Sequence, residues 1–136
     1  MIVLLDTDVL LDLALDRAPH AAPAGKLLDA LERRLGNAYV AWHSISNFYY
    51  LVAPSRGKDS ARSFLLELAE FVEVSPTTTE SLRFAGELAM TDFEDAMQVA
   101  AAVACRADVI ATRNLRDYAK SPVKAARPES VLDQLH

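Results

Sequence analysis

The sequence predicts an α/β domain in which a parallel sheet is flanked by helices, and three observations carry that prediction. The chain opens on a short apolar run, Ile2-Val3-Leu4-Leu5, which suits a strand buried on both faces. Further short apolar runs alternate with longer segments whose apolar residues recur at helical spacing, a pattern that calls for right-handed crossovers and parallel strands. The 136 residues are 51% hydrophobic and 24% charged, the balance of a folded globule rather than a disordered chain. No repeat, low-complexity tract or linker divides them, so one domain over residues 1–136 is expected.

The elements follow in order. The first strand ends at Asp6, and Leu10, Leu11, Leu13 and Ala14 predict a short helix after it. Leu27, Leu28, Leu31 and Leu35 predict a second, closed by Gly36-Asn37. Ala38 to Ala41 is the next strand. Ser44 or Ser46 is placed to cap a helix through Phe48, Tyr49, Leu51 and Val52, with Pro54 as its stop. A helix from Asp59 to Glu70, a strand from Phe71 to Val74 and a helix from Thr79 to Met90 come next. From Phe93 to Arg106, the residues Phe93, Ala96, Met97, Ala100, Val103 and Ala104 form one apolar stripe. Strands are expected at Ala107–Ala111 and Val123–Ala126, and Pro128 opens a last helix carrying Val131, Leu132 and Leu135.

Composition removes several classes of function. One cysteine, Cys105, allows no internal disulfide and no cysteine-rich zinc site, and reads as a small buried hydrophobe. The opening residues show neither a basic segment nor a small-residue cleavage site, and no apolar stretch approaches the ~20 residues of a membrane span. A cytoplasmic protein with no membrane partner is the expectation. The net charge of −5 speaks against a polyanionic partner on average. Yet Arg113, Arg116, Lys120, Lys124 and Arg127 lie close together with Asp117 the only acid among them. That run is either a solvated face or a phosphate-binding flank.

Sites in sheets of this kind form at the carboxyl ends of strands, which singles out Asp6. Three polar clusters converge there: Asp6-Thr7-Asp8, Asp92-Phe93-Glu94-Asp95, and Thr112-Arg113-Asn114 with Asp117. Asp92 and Asp95 are three apart and share a helix face. For them a structural role competes, with Thr91 or Asp92 as N-cap and Asp95 as an acid favoured by the helix dipole. A carboxylate ending an apolar strand is costly unless it is paired or holds a metal. Gathered carboxylates repel each other and raise their pKa values, and a hard cation such as Mg²⁺ or Mn²⁺ relieves the conflict. Such a cation serves phosphodiester cleavage without a nucleophilic side chain, which suits a chain with no evident Ser-His-Asp or Cys-His arrangement.

Asp6-Thr7-Asp8-Val9-Leu10-Leu11-Asp12, Asp92-Phe93-Glu94-Asp95-Ala96 and Thr112-Arg113-Asn114-Leu115-Arg116-Asp117-Tyr118 resemble, in order and spacing, the motifs of PIN-domain proteins. The resemblance runs nearly end to end. It implies a three-layer α/β/α sandwich around a parallel sheet of four to five strands, and Mg²⁺- or Mn²⁺-dependent cleavage of RNA. Many members are toxins of toxin–antitoxin pairs, commonly homodimers neutralised by a small partner protein. On this match Asp6 and Asp95 are the metal-binding acids, with Asp92 beside them as a third. Thr112 supports the backbone, Asp117 is a peripheral carboxylate, and Asp8 is a further supporting acid. Arg113, Arg116 and Lys120 are the candidate contacts to nucleic acid. Two amides depart from the pattern, since Asn47 and Asn114 stand where the family usually or often has acids. An amide oxygen can ligate a hard metal but adds no negative charge, so weaker metal binding follows from the exchange.

Other residues have plainer readings. His43, four residues before Asn47, is read as a surface or capping residue, and Phe48, Tyr49 and Tyr50 as core or dimer-interface packing rather than RNA stacking. Two rival functions remain. The amides allow an inactive module that binds RNA or protein without cutting. Asp6-Thr7-Asp8-Val9 also resembles the opening motif of haloacid-dehalogenase-like phosphatases, where the first Asp is the nucleophile, but no clear later lysine motif precedes Asp92.

Overall fold

The computed structural model describes residues 1–136. Strands β1 (Ile2–Leu5), β2 (Asn37–Val40), β3 (Val72–Val74), β4 (Val109–Ala111) and β5 (Ala125–Ala126) form one sheet. Helices α1 (Thr7–Ala14), α2 (Ala21–Glu32), α3 (Trp42–Arg56), α4 (Lys58–Leu68), α5 (Thr79–Glu87), α6 (Phe93–Ala104) and α7 (Pro128–Leu135) surround it, and a 3₁₀ turn spans Leu115–Tyr118. The strand order is β3-β2-β1-β4-β5, parallel throughout. The order reverses at β1, so the carboxyl ends of β1, β2 and β4 border the switch point where a parallel sheet opens a crevice.

Alternation along the strands makes the three layers. Val3, Leu5, Val109 and Ala111 point into a core shared with α1, α2, α3, α4 and α7, where Leu10, Leu27, Leu31, Phe48 and Val131 are wholly buried. Leu4 and Ile110, between them in sequence, point to the opposite face and meet Val99, Ala101 and Ala102 of α6 and Cys105 at its C-cap. Both faces of the sheet are covered, which explains why β1 and β4 read as unbroken apolar runs. Cys105 is buried, as expected. The small side chains of α6 let it lie close to the sheet, and α5 packs on its other side through Ala85, Ala96 and Ala100. No helix is long and apolar enough to cross a membrane.

Several boundaries differ from the sequence reading, each for a local reason. Ala41 precedes the first residue of α3, so Ser44 and Ser46 lie inside the helix and neither caps it. Pro54 does not stop α3, which runs on to Arg56. A proline in the last turn forfeits one hydrogen bond without ending the helix, and Gly57, at φ 92°, makes the actual break into α4. Leu35 falls beyond the end of α2 and is exposed. The helix from Thr79 ends at Glu87 rather than Met90, and the final strands are shorter than expected. The stripe on α6 is also displaced: Phe93 and Val103 face solvent, while Gln98, Val99, Ala101 and Ala102 are buried. A helix packed on two sides has no single apolar face for periodicity to find.

Candidate active site

Asp6 follows β1 and is the N-cap of α1, 8% exposed. Its Oδ1 accepts the Thr7 amide at 2.7 Å. Its Oδ2 accepts the Thr112 hydroxyl at 2.9 Å and the Tyr118 hydroxyl at 3.0 Å. Burial raises the pKa of Asp6, with these three donors and nearby His43 working the other way. A carboxylate oxygen accepts about two hydrogen bonds, so Oδ2 is full and Oδ1 keeps a lone pair to spare.

Asp8 stands beside it in the first turn of α1. Its Oδ2 accepts from the Thr112 hydroxyl at 3.1 Å, the Arg113 amide at 3.2 Å and the Asn114 side-chain amide at 2.9 Å, while its buried Oδ1 has no partner. Thr112 has one hydroxyl proton and two carboxylates within reach, so it satisfies only one of them at a time. Burial and the charge of Asp6 push Asp8 up to about 7.

The second acidic group begins α6. Asp92 is its N-cap, with Oδ1 accepting the Asp95 amide at 3.0 Å, as the capping reading expected. Asp95 is half-buried, and no side-chain hydrogen bond reaches its carboxylate. It is pushed up to about 6 by burial first, then by the charges of Asp92, Asp6, Asp117 and Glu94. Asp6 and Asp95, over 80 residues apart in sequence, therefore feel one another's charge. As the side chains stand, no three Asp, Glu, His or Cys residues are grouped to hold an ion.

The amides are placed as hydrogen-bond donors. Asn114 donates to Asp8, and the Asn47 side chain donates to Glu94, bridging α3 to α6. The basic candidates divide. Arg113 is tied by Nε at 2.7 Å and Nη2 at 3.2 Å to buried Asp12, a bidentate pair that draws it away from any ligand. Arg116 and Lys120 are exposed and share a recess with Asp92, Asp95 and Asp117, so they flank the acids.

Five further residues, none of them a site candidate in the sequence, belong to the site. Tyr118 is buried and holds Asp6; burial, and then the charge of Asp6, raise its phenol's pKa well above the usual range. Thr7, Ser44 and Gln98 form a buried network beneath the acids, with the Gln98 amide donating to Ser44 at 2.7 Å and to Thr7 at 3.2 Å. Buried polar residues on three different helices are the signal that could have exposed this network, had their contact been visible. His43 is neither a cap nor a plain surface residue. Burial lowers its pKa against the opposing pull of Asp6, and its Nε2 is buried without a partner.

Similarity to known proteins agrees with this geometry. The model of the PIN domain matches residues 2–116. VapBC2 from Rickettsia felis, solved bound to a DNA fragment from its promoter, superposes with a TM-score of 0.73 at 18% identity, over 93% of this chain and 98% of that one. VapBC-1 from nontypeable Haemophilus influenzae gives 0.70 at 18% identity, over 94% and 98%. FitAcB from Neisseria gonorrhoeae gives 0.64 at 18% identity, over 93% and 97%. No curated protein matches by sequence. Matched over most of its length, and with its acids gathered at the carboxyl edge of a parallel sheet, this chain belongs to the PIN-domain family.

Proposed function

We propose that this protein is a metal-dependent endoribonuclease that cleaves RNA phosphodiester bonds through Mg²⁺ or Mn²⁺ held by Asp6 and Asp95. The observation that carries the reading is uncompensated negative charge. Asp6, Asp8 and Asp95 are all pushed toward protonation, and none of the chain's ion pairs involves them, the pairs lying at Asp12 and Glu80. The membership of the PIN family supports a nuclease in general.

The donor set fits a hard cation of this kind. Mg²⁺ takes one or two carboxylates and keeps several waters, so Asp6 and Asp95 suffice without a third grouped ligand. The spare lone pair of Asp6 Oδ1 and the partnerless oxygen of Asp8 are the acceptors such charge would satisfy. When bound, the cation supplies positive charge against the phosphate and activation of water. The chain's own residues do the rest. Thr112 and Tyr118 fix Asp6 in place, the cap at Asp92 sets the first turn of α6 that carries Asp95, and Arg116 and Lys120 offer charge to flanking phosphates.

RNA is the substrate the motif resemblance implies, and a role as the toxin of a toxin–antitoxin pair is supported by the likeness to VapBC assemblies. On this reading the protein is a cytoplasmic homodimer neutralised by a small antitoxin. A second reading, a PIN module that binds without cutting, draws on Asn47 and Asn114, whose side chains donate to acids rather than add charge. The PIN assignment sets aside the phosphatase alternative.

Purified protein mixed with single-stranded and structured RNA, in Mn²⁺, Mg²⁺ or chelator, separates the readings. Metal-dependent cleavage that disappears in Asp6→Asn and Asp95→Asn supports the nuclease. Cleavage that survives both substitutions refutes it, and binding without cleavage selects the second reading.

A further inference from the structure

A cavity of about 180 Å³ opens between the first turn of α3, α5 with the segment entering it, and α6. Its inner wall is apolar, made by Ala41, Met97, Ala100 and Ala101. Trp42 lines it yet is 68% exposed, and Leu82 on the far side is exposed as well. His43 and Thr77 bring polar groups to the same space.

We propose that this cavity takes one unpaired nucleobase of the RNA, stacked on Trp42 and read at its edge by the polar side chains of His43 and Thr77 that line it. The proposal rests on the ribonuclease reading above and deepens it by naming a base subsite.

Four observations choose this occupant. The volume is well below the ~300–1,000 Å³ of pockets for drug-sized molecules, so one planar ring fits and a folded segment does not. Apolar walls with few polar groups suit a heterocycle that stacks by its face and is read at its edge. A large exposed aromatic is the platform on which unpaired bases stack. Finally, His43 joins the cavity to the acidic centre: it lines the one and lies within the electrostatic reach of Asp6 in the other.

Trp42 is the chain's only tryptophan, so its fluorescence reports this cavity alone. The full chain carrying Asp95→Asn is titrated, in Mg²⁺, with short single-stranded oligoribonucleotides and with abasic ribose-phosphate oligomers of equal length. Saturable quenching by the base-containing oligomers and not by the abasic ones supports the subsite. Labelled-RNA anisotropy should then weaken about tenfold in Trp42→Ala, within the range one stacked base is worth. Trp42→Phe should restore most of the affinity, and His43→Ala should alter the ranking among the four bases. Equal quenching by abasic oligomers, or unchanged affinity in Trp42→Ala, overturns the proposal. So does fluorescence that follows protein concentration together with a monomeric Trp42→Ala, which would assign the cavity to contact with a second copy. RNA binding that needs Trp42 but never leads to cleavage in the unsubstituted chain keeps the base subsite and refutes the nuclease reading. Cleavage indifferent to Trp42 does the reverse.

Discussion

Asp6 and Asp95 bring the same carboxylate to one crevice from surroundings that differ in kind. Asp6 is buried at the end of a central strand and held by three donors, from Thr7, Thr112 and Tyr118. Asp95 is half-exposed on the first turn of α6, where the charges of Asp92, Asp6, Asp117 and Glu94 act against its own and no donor meets its carboxylate. Both keep their charge at a cost, since burial raises the pKa of each, but only Asp6 is positioned by donors before any ligand arrives. On the proposed reading, the contrast teaches how a small fold would prepare a cation site. A rigid anchor sets direction, and an unsatisfied acid opposite supplies the driving force, because hydrogen-bonded ligands hold orientation while repelling charges wait for a counter-ion.

The largest expected effect tests whether both are needed. Asp6→Asn and Asp95→Asn should each lower the single-turnover rate of RNA cleavage by about a thousandfold, since removal of a metal carboxylate forfeits several kcal/mol of transition-state stabilisation. A loss confined to one of them would break the pairing.

The affinity for the cation should depend on pH through the acids whose pKa values are raised. Protons compete for Asp95, at about 6, and Asp8, at about 7, so Mn²⁺ binding measured by calorimetry should weaken about tenfold or more between about pH 8 and pH 5.5. Affinity that ignores pH across that window would contradict the raised values.

The anchor can be loosened without touching its charge. Tyr118→Phe removes one donor to Asp6 and should slow cleavage about tenfold at saturating metal, the scale of a hydrogen bond to a charged group. Asp117→Asn, at the other corner, should instead move only the acidic limb of the pH–rate profile, and to lower pH, because Asp117 acts on Asp95 through charge. If both substitutions shift the profile alike, the distinction between anchored and repelled acid fails.

The smallest effect is on stability. In chelator, Asp8 and Asp95 retain protons in the folded chain at pH values where the unfolded chain has lost them, since both are raised from 3.8. The folded state therefore binds more protons between about pH 4 and 7, and stability falls as the pH rises through that window. The melting temperature should drop by about 5 °C across it, with Mg²⁺ or Asp95→Asn flattening the slope. A rising or flat curve for the metal-free chain would contradict the raised values of Asp8 and Asp95.

Much of this was legible from local pattern. The apolar run before Asp6, the spacing of Asp92 and Asp95, and the Thr112–Tyr118 segment were enough to place acids at the carboxyl edge of a parallel sheet. The displaced stripe of α6 and the run-through at Pro54 were not, because each depends on what packs around the helix rather than on its own sequence.

By itself, then, the sequence determined the alternation of strands and helices and the identity of the acids, since burial periodicity and strand ends are local properties of a chain. Only the tertiary structure decided which acid is anchored and which is repelled. It also decided that Arg113 pairs with Asp12, that Tyr118 reaches Asp6, and that His43 lies at the site with an open nitrogen. Those facts depend on distances between residues up to 112 positions apart, which periodicity does not encode and the folded sheet imposes.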